Sequence, residues 1–186
     1  CIGIVGCGIQ AEQQLRVLAS AVDCRRVLAW GRDRQRLLAW RERLADTSFD
    51  IGLAAGLDQI VDRCRLIVTT TPVTEPLLKA VRSGTHVTAI GSDTPDKQEL
   101  APAILAAADV VAVDSRLQCQ GRGEVFRALG SGSIALEAVV ELGEIIDGGC
   151  RGRRDDTQIT VADFTGIATQ DIEIARTVYQ RICNAH

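Results

Sequence analysis

The chain has 186 residues, of which 46% are hydrophobic and 24% charged, a balance typical of one folded domain rather than of a disordered segment. Its apolar runs are all shorter than the roughly 20 residues that cross a bilayer, so the sequence excludes a membrane-spanning protein. The net charge of −3 and the 3% of aromatic residues likewise argue against the basic surface and the stacking platforms of a nucleic-acid-binding protein.

Short apolar runs alternate with segments of helical periodicity along the whole chain. The predicted strands are Ile2–Val5, Val27–Trp30, Phe49–Leu53, Leu66–Thr70, His86–Ile90, Val110–Val113 and Ile159–Ala162. The predicted helices are Gln10–Ala21, Arg34–Leu44, Leu57–Asp62, Pro76–Arg82, Pro102–Ala108 and Ile167–Ile182. Residues 148–156, rich in Gly, Arg and Asp, are predicted to form a loop.

Short strands separated by helices need crossover connections, which predicts a parallel sheet. The strands consist mostly of Val, Ile, Leu and Ala with little polar alternation, as in strands that helices cover on both faces. We therefore predict an α/β fold with a doubly wound parallel sheet. Its expected boundaries are residues 1–163 for the domain that contains the sheet and 164–186 for a C-terminal segment that carries the last helix.

The turn after the first strand has the sequence GCGIQA, residues 6–11, and opens the first predicted helix. Gly6 allows a tight turn, Gly8 lets the backbone approach a pyrophosphate, and Ala11 lets the helix pack closely on the strand. The helix N-terminus adds free N–H groups and a partial positive charge. In this position the pattern predicts a dinucleotide site, with a purely structural glycine turn as the alternative.

The end of the second strand indicates which dinucleotide is preferred. An NAD site usually has an acidic residue there for the ribose 2′-hydroxyl, whereas this chain has Trp30-Gly31-Arg32-Asp33. Gly31 leaves room, and the Arg32 guanidinium is suited to a 2′-phosphate. Asp33 either caps the following helix or reaches back to the ribose. We therefore expect NADP(H) to be favoured over NAD(H).

Two further strand ends carry candidate chemical groups. Thr70 and Thr71 end the fourth strand, where hydroxyls can bond a ribose or the nicotinamide, although Thr is also an ordinary strand residue. Asp93 follows the fifth strand and is a candidate general acid/base if burial and a bound cofactor raise its pKa. An aspartate before Thr-Pro also commonly forms a turn. Lys97 and Glu99 are expected to shape this loop.

The remaining polar residues predict no metal site. The seven cysteines include no CxxC pair and no zinc-type spacing, so we expect small buried thiols in a reducing compartment and a cytoplasmic location. His86 is expected to be structural, and Glu137, Glu141 and Glu144 to lie on a solvated face. The chain has no methionine and begins directly at a strand, which suggests a piece of a longer protein.

Several motifs, taken together and in order, resemble the ornithine cyclodeaminase/μ-crystallin family. They are GCGIQA, TTTP, GTHVTAIGSDTPDKQEL, VVAVDSRLQC, ELGEII and QITVADFTGIATQD. The resemblance covers essentially the whole chain. It implies a tightly held nicotinamide cofactor on a Rossmann domain, and chemistry at a carbon–nitrogen bond next to a carboxylate. Members of the family include ornithine and lysine cyclodeaminases, cyclic imine reductases and some alanine dehydrogenases.

By position, the resemblance implies a role for each matching residue. Asp93 matches the catalytic aspartate. The implied cofactor-binding residues are Gly6, Gly8, Ile9 and Gln10 at the pyrophosphate, Gly31 and Arg32 at the adenosine ribose, Thr70 at the nicotinamide-side ribose, and Phe164 in the stretch 163–166 that passes the nicotinamide ring. The family usually has Ser where this chain has Phe164, and often Gly where it has Asp96.

The resemblance leaves two kinds of function open. One is an NAD(P)-dependent enzyme that cyclodeaminates an amino acid or reduces a cyclic imine such as Δ1-pyrroline-2-carboxylate. The other is a non-catalytic, NADPH-binding protein of the μ-crystallin kind; Asp93, which such binders tend to lose, favours the enzyme. The family also carries a substrate domain, with the main dimer surface, ahead of the Rossmann domain. We therefore expect the 186 residues alone to be inactive, the full-length protein to be a homodimer, and residues 164–186 to return toward the substrate domain.

Overall fold

Eight strands form one sheet in the computed structural model, which describes residues 1–184. The strands are β1 (Ile2–Val5), β2 (Arg26–Trp30), β3 (Asp50–Leu53), β4 (Leu66–Thr69), β5 (His86–Ala89), β6 (Val110–Val113), β7 (Val139–Glu141) and β8 (Thr160–Asp163). The helices are α1 (Ile9–Ala21), α2 (Arg34–Arg43), α3 (Leu57–Arg63), α4 (Pro102–Ala106), α5 (Gly123–Gly130), α6 (Leu142–Ile146) and α7 (Ala168–Cys183).

The sheet has the order β3-β2-β1-β4-β5-β8-β6-β7, and every neighbouring pair is parallel. The predicted doubly wound parallel sheet is therefore confirmed. After β1 the chain adds β2 and β3 on one side and then returns to place β4 on the other. The carboxyl ends of β1 and β4 thus border the point at which the winding reverses, where open α/β sheets bind their ligands.

Helices cover both faces of the sheet because successive strand residues are apolar. Ile67 and Val68, neighbours in β4, belong to two different core clusters. One cluster packs α1 and α2 against one face of the sheet and includes the fully buried Trp40, and the other packs α3, α4 and α5 against the opposite face and includes Ile60. This two-sided burial explains the uninterrupted Val/Ile/Ala runs that the sequence shows.

One helix prediction is wrong: residues 76–82, expected as a helix, have no helical structure. The backbone N–H groups of Leu77 and Leu78 donate to the carbonyl of Glu99, at 2.8 and 3.1 Å, and Leu78 forms a parallel bridge with Leu100. The segment thus satisfies its polar backbone against a neighbouring loop. Leu78 is buried by this contact, and the tertiary contact overrides the local helical preference.

Three elements were absent from the sequence prediction: α5, β7 and α6. A glycine stands at each end of α5, and β7 has only three residues, so neither gives a clear periodic signal. Glu141 and Glu144 were expected on a solvated face, and this is wrong. They form the capping box of α6, and both bind Arg116, whose backbone N–H donates to Glu141 and whose guanidinium pairs with Glu144. Glu137 is exposed, as expected.

The last helix, α7, confirms the predicted element, and it is not buried against the sheet. Its residues are exposed along its whole length, including the large apolar side chains Ile172, Ile174, Val178, Tyr179 and Ile182. These apolar side chains therefore do not cover the sheet. Within residues 1–184, no helix combines the length and apolar character needed to cross a bilayer.

The cysteines match the expected small buried thiols only in part. Cys64 and Cys119 are buried, and burial raises the pKa of each thiol to about 11, which makes them inert packing residues. Cys183, in contrast, is exposed on α7. His86 is structural, as expected, because its ring nitrogens lie 2.7 Å from the Thr160 hydroxyl and 3.0 Å from the Thr88 hydroxyl.

Candidate active site

The turn between β1 and α1 requires glycine at its first position. Gly6 has φ +119°, and its N–H donates to the carbonyl of Trp30 at 2.8 Å. A Cβ at Gly6 would lie 2.4 Å from Oγ1 of Thr70. Both the backbone conformation and the neighbouring strand end therefore exclude a side chain, and the start of α1 comes close to the end of β4.

Gly8 is the N-cap of α1, and unlike Gly6 it has room for a side chain. A Cβ built at Gly8 meets nothing within 4 Å, so no protein atom explains the missing side chain. No side chain caps the 13-residue helix α1 either, so its first N–H groups lack the usual side-chain acceptor at the N-cap. Ala11 is fully buried, which lets the helix pack against β1. This backbone cradle fits a bound pyrophosphate.

The cradle opens into a cavity of about 330 Å³ at the carboxyl ends of β1, β2 and β4. Seven of the predicted cofactor residues line it: Gly6, Gly8, Gly31, Arg32, Asp33, Thr70 and Thr71. Ile9 and Gln10 begin α1 as exposed side chains and are not part of the lining. Phe164 is also outside it, because it follows β8, on the far side of β5. The structure thus brings the pyrophosphate and ribose candidates together and separates Phe164 from them.

Positive charge gathers at the β2 end of the cavity. The Asp33 carboxylate accepts hydrogen bonds from the N–H groups of Gln35 and Arg36, at 2.9 and 3.1 Å, and so caps α2. Of the two interpretations of Asp33, capping is the one that the geometry shows. Arg32 and Arg36 are exposed and line the cavity. Arg36 was missed from the sequence, although its place in the first turn of the helix after Arg32 was visible there.

The two threonines after β4 play different parts. Thr70 is held by its backbone, whose N–H donates to the Val5 carbonyl at 2.9 Å, and its hydroxyl lies over Gly6. The Thr71 hydroxyl instead donates to the carboxylate of Glu99, at 2.7 Å. Thr71 therefore contributes to the wall of the cavity while its hydroxyl is engaged elsewhere.

Glu99 is a buried carboxylate with no solvent exposure. It accepts four hydrogen bonds, from the hydroxyls of Thr69 and Thr71 and from the backbone N–H groups of Thr71 and Gly91. Burial raises the pKa of Glu99 to about 7, and the hydrogen bonds act in the opposite direction. The expectation that Glu99 shapes the loop is confirmed, and the residue also reaches the end of β4.

Two further carboxyl groups are buried at this edge of the sheet: Glu124 beside Glu99, and Asp163 near Glu124. Glu124, in α5, accepts from the Ser92 hydroxyl and from the backbone N–H groups of Glu99 and Leu100. Asp163, at the end of β8, accepts from the Val125 N–H at 2.8 Å. Burial raises the pKa of Glu124, and it raises that of Asp163 to about 8, with the nearby Glu124 charge adding to the effect. Sequence reasoning missed Glu124 because it missed α5.

Asp93 lies on the loop after β5, next to the anchored residues Gly91 and Ser92. Its carboxylate forms an ion pair with Lys97, and its side chain is 53% exposed. The described residues alone therefore do not give Asp93 the burial expected of a general acid/base. The geometry presents Asp93 at the carboxyl edge of the sheet, after the hydrogen-bonded residues Gly91 and Ser92 and outside the residues that line the cavity.

The stretch after β8 is also fixed at this edge. Phe164 is half-buried and donates its N–H to the Ala89 carbonyl at 2.9 Å. The Gly166 N–H donates to the Asp114 carboxylate at 2.7 Å. The Gln118 side-chain amide donates to the Thr165 hydroxyl at 2.7 Å. Loops from β6 and β8 thus support each other beside the Asp93 loop.

Comparison with known proteins agrees with this arrangement. The family model described as the ornithine cyclodeaminase/mu-crystallin family matches residues 1–186. The chain belongs to the ornithine cyclodeaminase/mu-crystallin family. The resemblance found in the sequence motifs is thereby confirmed.

Individual members of the family match the chain over almost its full length. An uncharacterised cyclodeaminase of Sinorhizobium fredii is 42% identical over 182 residues, which is 96% of this chain and 55% of the relative. The structure of an archaeal alanine dehydrogenase dimer with bound NAD has a TM-score of 0.92 and 36% identity, over 99% of this chain and 57% of that one. The iminosuccinate reductase of Paracoccus denitrificans with NAD+ gives 0.89 and 31%, over 96% and 55%. The chain thus spans about half the length of the relatives it matches.

The buried carboxyls predict how stability depends on pH. The pKa of Asp163 is raised to about 8 in the folded protein, above its ordinary value of 3.8, so the folded state keeps a proton that the unfolded chain loses. This stabilisation is complete below about pH 4 and is lost as the pH rises through about 8. Glu99 acts in the same direction up to about pH 7. We therefore expect the free energy of unfolding to fall between pH 5 and 8, and Asp163→Asn to reduce that slope by up to ~1.4 kcal/mol per pH unit.

Urea denaturation at a series of pH values measures this slope. The matched control is Asp109→Asn, because Asp109 is an exposed aspartate that also accepts one backbone N–H, from Ile159 at 2.8 Å. The control should keep the wild-type slope. An Asp163→Asn protein with the same slope as wild type would contradict the prediction.

Proposed function

We propose that the chain is the dinucleotide-binding part of an NAD(P)-dependent enzyme that oxidises or reduces the carbon–nitrogen bond next to a carboxylate. The observation that carries the proposal is the backbone cradle at Gly6 and Gly8. Gly6 is required by its neighbours, whereas the missing side chain at Gly8 faces only open space at a helix N-terminus. A pyrophosphate is the ligand that such a cradle suits best.

The division of labour follows from the arrangement around the cavity. When bound, the nicotinamide cofactor supplies the hydride acceptor or donor. The N–H groups of α1 bind the pyrophosphate, and Gly31 and Arg32 bind the adenosine ribose. Asp93 takes the proton that the substrate nitrogen loses on oxidation and returns it on reduction. Its position at the open end of a strand, on an anchored loop, supports this role.

The substrate class is an α-amino acid or the corresponding imine, including cyclic imines. Relatives of this chain carry the names alanine dehydrogenase, iminosuccinate reductase and Δ1-pyrroline-2-carboxylate reductase, as well as cyclodeaminase. Amino-acid cyclodeamination and ketimine reduction both interconvert an amine and an imine by hydride transfer at the α-carbon with a proton gained or lost at nitrogen, so one site at Asp93 suits both. The non-catalytic, μ-crystallin-like alternative has no use for a proton carrier at position 93.

The rest of the substrate site is expected outside this chain. Because the chain spans about half the length of its relatives, we infer that other residues bind the substrate carboxylate and cover Asp93. The exposed apolar residues of α7 (Ile172, Val178 and Tyr179 among them) suit a contact with such a segment. Turnover is accordingly expected from the full-length protein, as a homodimer, and not from these 186 residues alone.

The proposed preference for NADP(H) rests on charge. Arg32 and Arg36 are the cationic groups of the cavity, and the Asp33 carboxylate is engaged in capping α2. A 2′-phosphate gains from a guanidinium, whereas a ribose 2′-hydroxyl needs a free acidic partner. The archaeal alanine dehydrogenase and the iminosuccinate reductase are described with NAD and NAD+, so this preference requires a direct test.

Replacing Arg32 tests the choice of cofactor. We expect Arg32→Ala to raise the Kd for NADPH by about tenfold or more, the worth of a charge-assisted hydrogen bond, and to leave the Kd for NADH nearly unchanged. Calorimetric titration of both cofactors measures this. Arg34→Ala is the control, since Arg34 is exposed on the same segment but does not line the cavity. Tighter binding of NADH than of NADPH by the wild type would refute the preference.

Adding one methyl group at Gly8 tests the cradle. Gly8→Ala should leave the melting temperature nearly unchanged, because its φ of −88° suits any residue and the Cβ meets no protein atom. We expect the same methyl group to occupy pyrophosphate space and raise the dinucleotide Kd by about tenfold or more. Gly130→Ala, which also places a Cβ in open space, is the control. Unchanged affinity in Gly8→Ala would remove the pyrophosphate from this turn.

Substitution of Asp93 separates the enzyme from the binder. In the full-length protein, Asp93→Asn should lower kcat by about 100-fold or more, the usual contribution of a general acid/base, and keep the dinucleotide Kd. Absorbance of the reduced cofactor, followed with a panel of amino acids and imines, measures turnover. Asp96→Asn, on the same loop and exposed, should behave as wild type. A wild-type protein that binds the cofactor but turns over none of the panel would favour the binder.

A further inference from the structure

The Glu99 carboxylate connects two loops that the proposed function uses separately. Thr70 and Thr71 form the cavity wall after β4, whereas Gly91 begins the loop that carries Asp93. The two loops are in direct contact, since a Cβ at Gly91 would lie 2.5 Å from the Thr71 nitrogen and 2.6 Å from the Glu99 Cδ. No side chain fits between them, and the Glu99 carboxylate accepts a hydrogen bond from each loop.

The donors that Glu99 binds explain why a carboxylate stands there. Oε1 accepts the Thr71 N–H, at 2.5 Å, and Oε2 accepts the Gly91 N–H, at 2.8 Å. A hydroxyl can rotate to become an acceptor, but a backbone N–H can only donate. An amide in place of the carboxylate would direct its NH2 group at one of these two N–H donors in either orientation. Only a group with two accepting oxygens satisfies both strand ends at once.

The position of Glu99 is itself fixed. Its backbone N–H donates to Glu124 at 2.6 Å, and the same Glu124 oxygen accepts from the Ser92 hydroxyl. Ser92 is the residue before Asp93. The Asp93 loop is therefore anchored at two consecutive residues, at Gly91 by Glu99 and at Ser92 by Glu124. The connection between the two loops therefore runs through buried, oriented groups, which hold a geometry more precisely than exposed loops do.

We propose that Glu99 is a positioning residue that sets the Asp93 carboxylate relative to the bound dinucleotide by fixing the end of β5 to the end of β4. It acts through Thr71 and Gly91 and touches neither substrate nor cofactor. The proposal rests on the proposed function, because it needs a cofactor in the cavity and a proton carrier at Asp93. Its consequence is that the two strand ends move independently once the carboxylate is replaced.

Glu99→Gln in the full-length protein is the decisive variant. We expect the dinucleotide Kd to rise by about tenfold, because one buried backbone N–H at a loop loses its acceptor. At saturating cofactor we also expect kcat to fall by about 100-fold, because displacement of a reacting group by about 1 Å has an effect of that size. Val139→Ala is the control for stability alone: Val139 is buried in the outer strand β7, so the variant should melt earlier and keep Kd and kcat.

Thr69→Val is a milder change that tests the positioning role of Glu99 even if Glu99→Gln does not fold. Val has the shape of Thr, and the change removes only the buried hydroxyl that donates to Glu99 at 2.8 Å. A several-fold fall in kcat, with a smaller change in Kd, is the result expected of it. Wild-type kcat and Kd in Thr69→Val, with only a lower melting temperature, would overturn the positioning role.

Comparison with Asp93→Asn distinguishes failure of the positioning role of Glu99 from failure of the proposed function. If Asp93→Asn loses turnover while Glu99→Gln keeps wild-type kcat and Kd, Glu99 has no positioning role and the proposed function stands. If Asp93→Asn keeps full turnover, the proposed function itself is wrong, whatever Glu99→Gln does. Loss of turnover in both variants, with Val139→Ala unaffected, supports the inference.

Discussion

The close approach of Gly6 to Thr70 determines the geometry of the whole candidate site. The two residues follow neighbouring parallel strands, and the 2.4 Å between a Cβ at Gly6 and the Thr70 hydroxyl leaves no room for a side chain. Because β2 and β4 flank β1 on opposite sides, the turn at Gly6 directs α1 into the gap where the winding reverses. The helix N-terminus, the Arg32 loop and the Thr70 loop therefore meet at one edge of the sheet.

Buried carboxylates extend this order from the cofactor side to the Asp93 loop. Strand ends in a parallel sheet leave backbone N–H groups without ladder partners, and such groups are costly to bury unsatisfied. Glu99 accepts such a donor from Gly91 after β5. Glu124 accepts the N–H of Leu100 in the loop before α4, and Asp163 accepts that of Val125 in the first turn of α5. Burial disfavours the charged carboxylates and raises their pKa values, so the same groups that make the site rigid also make its stability sensitive to pH.

The sequence predicts what depends on local pattern and misses what depends on tertiary contact. Seven of the eight strands and the Gly6–Gly8 turn follow from periodicity and turn chemistry, and capping is one of the two interpretations of Asp33 that the sequence leaves open. The segment 76–82 resembles a helix locally, but its N–H groups bind the loop that carries Glu99. Glu124 is an ordinary acidic residue in a glycine-rich stretch, and only the packing of α5 shows that it holds Ser92 and Leu100.

The fold of this chain is shared by proteins whose names refer to different reactions. An alanine dehydrogenase and an iminosuccinate reductase superpose on it with TM-scores of 0.92 and 0.89, so the sheet and its glycine turn do not distinguish their substrates. Within residues 1–184, the Asp93 side chain remains half exposed at the end of this hydrogen-bonded arrangement. Under the proposed function, a proton carrier at Asp93 beside a bound cofactor would define the type of bond that reacts, and the choice of substrate would then depend on the residues that cover Asp93.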